Sequence, residues 1–300
     1  MPTWLGFAAR HVWLAELATH FTWQYCWVLP APLIASVWLR RKRLAVFVAV
    51  TLAVNLAAVA PLYWPPASPA AQTDAAPQLR VLSLNVWKKN RRHDDVVKHI
   101  RRESPDLFVL FEVNRRLVDA MQPLAADYPH QHVQLAGTRS GVALFSKQPL
   151  SGVRFERLGP IDRFVLVAEF DLGGRPATLI GLHPSLPRRP QNVQWRNAEL
   201  LAAARLAAGR PGPVIMVGDL TTTPWSPVFG DVLKAGRLRN SQRGYGVQPT
   251  WSYQGRRPLL LPIDHALHSE DLVVVGRRVG PFVGSDHRAL TVDFLLPAAD

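Results

Sequence analysis

The sequence predicts an α/β domain built on a mixed β-sheet and preceded by a transmembrane helical hairpin. Three observations predict it. The segments Arg80-Val81-Leu82-Ser83-Leu84-Asn85-Val86, Pro105-Asp106-Leu107-Phe108-Val109-Leu110-Phe111-Glu112 and Val214-Ile215-Met216-Val217-Gly218-Asp219-Leu220 are short apolar runs without polar alternation. That is the pattern of strands buried on both faces. Helical patterns alternate with further strands, and the neighbouring runs 164–170 and 177–182 are spaced like a hairpin, so the sheet is mixed. Ahead of residue 65, the stretches 21–39 and 44–63 are almost free of charge, each near the 20 residues or so that span a bilayer.

Residues 1–64 read as a membrane anchor. Segment 4–19 is apolar but carries Arg10, His11 and Glu16, which suits an interfacial helix. The two spans follow, joined by Arg40-Arg41-Lys42-Arg43. A short basic turn of this kind stays cytoplasmic, which sets the rest of the chain on the non-cytoplasmic side, periplasmic or extracellular. Trp23, Trp27, Trp38, Tyr63 and Trp64 lie near the proposed span ends, while Pro30 and Pro32 kink the first span. Two other readings of this region are a late signal sequence with 44–60 as its apolar core, and a soluble helix pair. Residues 65–78, rich in Pro and Ala, form a semi-rigid linker.

Residues 79–300 form the α/β domain. Strand 79–86 opens it. Helix 94–103 follows, with Val96, Val97 and Ile100 on one face, and then strand 107–112. Strands 142–146, 164–170 and 177–182 come next, the last running into His183. Helix 191–208 is made of good helix formers and stopped by Gly209. Strands 213–218, 264–268, 272–275 and 289–295 complete the domain.

Five of the 35 Lys/Arg and two of the 22 Asp/Glu precede residue 79, so most of the +13 formal charge belongs to this region. Such a basic surface attracts polyanions, whether nucleic acid or an anionic membrane, unless it is simply a solvated face. Cys26 is the single cysteine, so no intrachain disulfide forms. The chain has no P-loop, no Cys/His zinc spacing and no Gly-X-Ser-X-Gly elbow, which excludes several hydrolase classes.

The three apolar runs end on Asn85, Glu112 and Asp219, and Gly284-Ser285-Asp286-His287 adds an Asp-His pair. Strand ends of one buried sheet gather at a rim. This set of side chains there suits a hard divalent cation and phosphoryl chemistry. An ionised Glu112 after five apolar residues must be paired, solvated or metal-bound.

The Asn85 strand, the Glu112 strand, His183 after Ile180-Gly181-Leu182, Gly218-Asp219-Leu220, Ile263-Asp264-His265 and Ser285-Asp286-His287 follow one another in an order that resembles the endonuclease/exonuclease/phosphatase superfamily, over about residues 79–296. The resemblance implies a four-layer sandwich of two packed mixed β-sheets flanked by helices, and hydrolysis of phosphoric esters with Mg²⁺ or Mn²⁺. It implies that Glu112 is the principal metal ligand and that Asp286 completes the metal site. Asn85 would organise metal and phosphate. Asp219 would orient or deprotonate the attacking water. His183 would contact the scissile phosphate or protonate the leaving oxygen, and His287, oriented by Asp264, would donate to phosphate or act as acid/base. Thr221 stands where most of that family has Asn; its single hydroxyl offers less than an amide. Arg163 and Arg196 are candidate phosphate clamps, and His265 reads as a structural or rim residue.

The reading is a membrane-anchored phosphodiesterase, with nuclease action favoured. Its partners are a phosphodiester substrate, nucleic acid or phospholipid, and the bilayer, and no obligate protein partner is implied. Two alternatives stand beside it: a lipid or lipid-linked phosphodiesterase or phosphatase, and a catalytically weak module that grips phosphate-bearing ligands, favoured by Thr221.

Overall fold

The computed structural model describes residues 2–64, 78–136, 139–158, 163–253 and 259–297. Helices α1 (Pro2–Leu5), α2 (Trp13–Thr19), α3 (Thr22–Val28), α4 (Pro30–Trp38) and α5 (Lys42–Val59) come first. The chain continues through β1 (Gln78–Asn85), α6 (His93–Glu103), β2 (Leu107–Val113), α7 (Arg115–Ala120), β3 (His130–Ala136), β4 (Arg139–Ser146), β5 (Leu150–Glu156), β6 (Val165–Leu172) and β7 (Arg175–Gly181). It closes with α8 (Pro190–Ala208), β8 (Val214–Asp219), α9 (Pro227–Gly236), β9 (Arg239–Asn240), β10 (Trp251–Ser252), β11 (Leu260–Leu261), β12 (Asp264–His268), β13 (Val273–Phe282) and β14 (Arg288–Leu295).

Two six-stranded sheets result, ordered β13-β14-β1-β2-β4-β3 and β5-β6-β7-β8-β12-β9. Each is mixed. A helix crosses over between β1 and β2 and another between β7 and β8, which makes both pairs parallel. The other ladders are antiparallel. In β2 the odd positions Leu107, Val109 and Phe111 meet Leu166, Ala168, Phe170 and Val217 of the second sheet. The even positions Phe108 and Leu110 pack on Val96 and Ile100 of α6. On the other side Val167, Ile180 and Met216 carry α8 and α9 through Leu200, Ala203 and Val232. Both faces of the central strands are buried, which is why their sequence lacks alternation. The layers are helix, sheet, sheet, helix, as the resemblance implies.

The amino-terminal region departs from the expected hairpin. The stretch 21–39 is two short helices, parted at Leu29, because Pro30 and Pro32 have no N–H to donate. Among the described residues only Lys42–Leu62, 21 residues, is long and apolar enough to cross a membrane. Two spans are therefore not shown. Nor does this region stand off from the domain. Arg10 pairs with Asp231, Glu16 with Arg196, and the Leu62 carbonyl accepts from the Gly244 and Gly246 N–H groups. Of the expected linker, 65–77 lie outside the described residues and Gln78 opens β1.

Gly218, before the end of β8, has φ +145°, and a Cβ there would lie 1.9 Å from the Leu182 carbonyl oxygen. The bare backbone lets the ends of β7 and β8 close together, with Leu182 N–H donating to the Val217 carbonyl at 3.0 Å. Gly218→Ala is expected to lower stability by about 3 kcal/mol or more in urea unfolding. Gly174→Ala, at φ +81° with nothing within 4 Å of the added carbon, should cost about 1 kcal/mol. Equal losses would contradict this account of Gly218.

Candidate active site

Topology assembles the site. Parallel β1 and β2 end on one edge, which places Asn85 and Glu112 together. Parallel β7 and β8 do the same for His183, just beyond β7, and Asp219, the last residue of β8. Antiparallel β12 opens with Asp264 directly opposite Asp219. Asp286 and His287 precede β14, which runs antiparallel to β1. All seven positions meet at one rim between the sheets.

Glu112 reaches this rim through a backbone irregularity. The β2–β4 register shifts between Phe111 and Val113, and Glu112 has φ +58°. Even positions of β2 otherwise face α6. The bulge re-aims this one side chain. Trp87 and Thr221 also have positive φ, 55° and 51°. Strained backbone of this kind clusters at working sites.

His287 Nδ1 lies 2.8 Å from Asp264 Oδ2, and its Nε2 is 3.5 Å from Asp219 Oδ2. The same Asp219 oxygen accepts from Asn85 Nδ2 at 3.1 Å and is 3.3 Å from His183 Nδ1. Asp219 Oδ1 accepts from the Thr221 N–H at 2.9 Å. His183 Nε2 is 3.3 Å from Glu112 Oε1, and the Lys88 N–H donates to Glu112 Oε2 at 3.2 Å. Asp286 Oδ2 accepts from Trp251 Nε1 at 3.1 Å.

Burial and charge oppose each other here. Burial raises the Asp219 carboxyl, and the charge of Asp264 adds to that against His287 and His183. Burial alone would raise Glu112 too, but the hydrogen bond and charge of His183, with the Lys88 and Asn85 donors, bring it down to about 2. Burial disfavours a charged His287, yet Asp264 and Asp219 outweigh it and push its pKa up to about 10. His287 is thus an imidazolium held between two carboxylates.

Other expected site residues land differently. Arg163 sits beside the rim, its guanidinium donating to the His183 carbonyl at 3.2 Å. Arg196 is no phosphate clamp: it is 0% exposed, bound to Glu16 Oε2 at 2.7 Å and to the Thr221 carbonyl at 2.9 Å. The Thr221 hydroxyl does not face the reacting groups either. It donates to the Ser185 carbonyl at 3.3 Å, and the residue serves the site through its backbone N–H. His265 is fully buried against Phe229, a structural residue. Sequence reasoning missed Ser285, whose hydroxyl donates to the Asn85 carbonyl and accepts from the His287 N–H, and Trp251, which holds Asp286. Ser285 lies inside the Gly-Ser-Asp-His motif and was within reach, whereas Trp251 carries no local signal.

The donor set suits a divalent cation. Asp286 Oδ1 and Asp264 Oδ1 are buried without a hydrogen-bond partner among the described residues. Asp219, Asp264 and His287 offer ligand atoms within 4.8 Å of one another. Asp264 already binds His287, so of these two carboxylates the unpartnered Asp286 oxygen is the stronger candidate metal donor. Next to Glu112 opens a cleft of about 670 Å³ lined by Lys88, Lys89, Asn90, Arg91, His93, Asn114 and Arg116. Neighbouring Arg92 and Arg115 are tied to Asp95 and Asp119. Lys88, Lys89, Arg91 and Arg116 have no ion-pair partner among the described residues.

A model of the endonuclease/exonuclease/phosphatase family matches residues 82–287. No curated protein sequence matches the chain. Among solved structures it is similar to D. rerio TDP2 complexed with single strand DNA product, at 17% identity and TM-score 0.61, covering 72% of this chain and 98% of that one. An endonuclease/exonuclease/phosphatase from Beutenbergia cavernae DSM 12333 gives 21% and 0.59, covering 73% and 72%. The human Nocturnin catalytic domain with bound sulfate gives 19% and 0.58, covering 74% and 96%.

A raised histidine pKa stabilises the fold fully below the unfolded value, near 6.5, and that stability is lost as pH rises through about 10. In chelator, stability should therefore fall between those pH values, and Asp264→Asn should shrink the dependence. A His287 that titrates near 6.5 by nitrogen NMR would contradict the imidazolium assignment.

Proposed function

The chain belongs to the endonuclease/exonuclease/phosphatase family, a family of phosphoester hydrolases, and we propose that it cleaves phosphodiesters of a nucleic-acid strand in a divalent-metal-dependent reaction. The observation that carries this reading is the meeting of Asp219, His183, Glu112 and Asn85 with the His287–Asp264 pair at one rim.

Each residue then has a task. Asp219, its Oδ1 pinned by the Thr221 N–H, presents Oδ2 to a water and takes its proton. A raised carboxyl pKa makes it a better base than a solvated Asp. The His287 imidazolium, oriented by Asp264, donates from Nε2 to a phosphate oxygen and steadies the charge that grows there. His183 stands between Glu112 and Asp219, placed to contact the scissile phosphate or protonate the leaving oxygen. A bound Mg²⁺ or Mn²⁺, held by Glu112 and Asp286 with Asn85, would supply Lewis-acid stabilisation of the phosphate and leaving oxygen.

The basic cleft supports a polyanionic chain over an isolated phosphomonoester, because four cations without an ion-pair partner among the described residues favour a ligand with several phosphates. The D. rerio TDP2 complex, with its single-stranded DNA product, is consistent with this. A lipid phosphodiester is the second reading, and the amino-terminal helices favour it. In α5, Thr51 and Asn55 turn inward to Trp4 and Thr3, whereas Val46, Val50 and Leu56 are exposed, as are Trp27, Ile34 and Trp38 of α3 and α4. Polar inside and apolar outside is the arrangement of a lipid-facing surface. Residues 1–64 are accordingly proposed as a membrane attachment, with the domain from residue 79 on the non-cytoplasmic side. A catalytically weak phosphate-binding module remains the reading if no substrate turns over.

Full-length protein in detergent is expected to cleave single-stranded oligonucleotides with Mg²⁺ or Mn²⁺ and to stop in chelator. Glu112→Gln should cost at least ~10²-fold in rate. Undiminished cleavage in chelator would sink the mechanism. Lys89→Glu with Arg91→Glu should raise KM for oligonucleotides and flatten its salt dependence, while leaving hydrolysis of a small diester unchanged. Faster turnover of phospholipid vesicles than of DNA or RNA would establish the second reading instead.

A further inference from the structure

Glu16 on α2 is 3% exposed and carries a negative charge into the junction between the amino-terminal helices and the domain. Its Oε2 accepts from Arg196 Nη2 at 2.7 Å, and its Oε1 accepts from Ser226 Oγ at 2.7 Å. Arg196, on α8, also donates from Nη1 to the Thr221 carbonyl at 2.9 Å. One carboxylate thus grips both ends of the loop 221–226. His20, one turn on, meets the middle of the loop, with Nδ1 3.0 Å from Thr223 Oγ1.

That loop begins two residues after Asp219. Its first residue, Thr221, sits at φ +51°, which a β-branched side chain adopts only when its surroundings hold it there. Its N–H is the donor that pins Asp219 Oδ1 and leaves Oδ2 toward Asn85, His183 and His287. A chain of short hydrogen bonds therefore runs from Glu16 through Arg196 to the Thr221 carbonyl, and from the Thr221 N–H, on the adjoining peptide unit, to the Asp219 carboxylate.

We propose that Glu16 is a positioning residue of the active site, and that the amino-terminal helices are a working part of the catalytic centre as well as an attachment. Removing the Glu16 charge frees Arg196, lets the Thr221 backbone relax out of its left-handed conformation, and so unpins Asp219. The proposal rests on the assignment of Asp219 to the reacting centre.

Full-length protein tests it. Glu16→Gln keeps the shape and removes the charge. Arg196→Lys keeps the charge for Glu16 but loses the contact to the Thr221 carbonyl, because one ammonium nitrogen does not span the two acceptors that the guanidinium fork reaches from Nη2 and Nη1. Both should lower kcat by about 10-fold or more with KM within about threefold, since misplacement rather than lost binding is the fault. Arg10→Ala breaks an exposed contact of the same helical unit with Asp231 and should leave kcat unchanged. Should Glu16→Gln fail to fold, Ser226→Ala, which removes one neutral hydrogen bond, is the milder variant and should still lower kcat severalfold. Folded variants with wild-type kcat, or a rise in KM alone, overturn the proposal. If Asp219→Asn is itself fully active, the reading of the site has failed; if Asp219→Asn is dead while Glu16→Gln is active, only the positioning role has.

Discussion

Asp219 and Asp264 face each other in register across β8 and β12, both almost completely removed from water. Two carboxylates so close and so dry repel each other and lose their hydration. The rest of the site answers that problem. His287 inserts a positive charge between them, Asn85 and the Thr221 N–H donate to Asp219, and a side-chain hydrogen bond with Thr250 helps His287 hold the Asp264 carboxyl low. What survives is an arrangement of charges that water does not screen, which is the condition for strong stabilisation of a reacting phosphate.

The fold makes this juxtaposition possible at two levels. The parallel pair at the heart of each sheet sends Asn85 with Glu112, and His183 with Asp219, to a common edge. Face-to-face packing through Val109, Phe111, Ala168 and Val217 then brings the two edges together. Gly218 and the bulge at Glu112 are local departures from regular strand geometry, and both lie within one position of a site residue or on it. Regular sheet carries the load, and the irregular positions aim the chemistry.

Much of this was legible in the sequence, and the gaps have physical causes. Central strands announce themselves because both faces are buried, and β12 spans the same residues in the reading and in the structure. Strands β3 and β5 lie at sheet edges, partly solvated and rich in residues such as His130, Gln131, His132 and Arg154, so they lack an apolar run. Helix α9 begins with Pro227 and contains Gly230 and Gly236, which blur its period. Arg196 looked like a phosphate clamp because its partner Glu16 lies 180 positions earlier, a distance that no local pattern spans. The charge-free stretch at 21–39 was visible, but its length as a single helix was not, since Pro30 divides it.

The central claim is that Asp219 and the His287–Asp264 pair act on one reacting phosphate. Single-turnover rates of Asp219→Asn, His287→Ala and the double variant, measured on one phosphodiester with saturating Mg²⁺, test it most directly. The account predicts that each single change costs roughly 10³-fold or more and that the double variant is little worse than the more damaged single one. A double variant that loses the full product of the two factors would mean the residues act on separate steps, and the account of the site would be wrong.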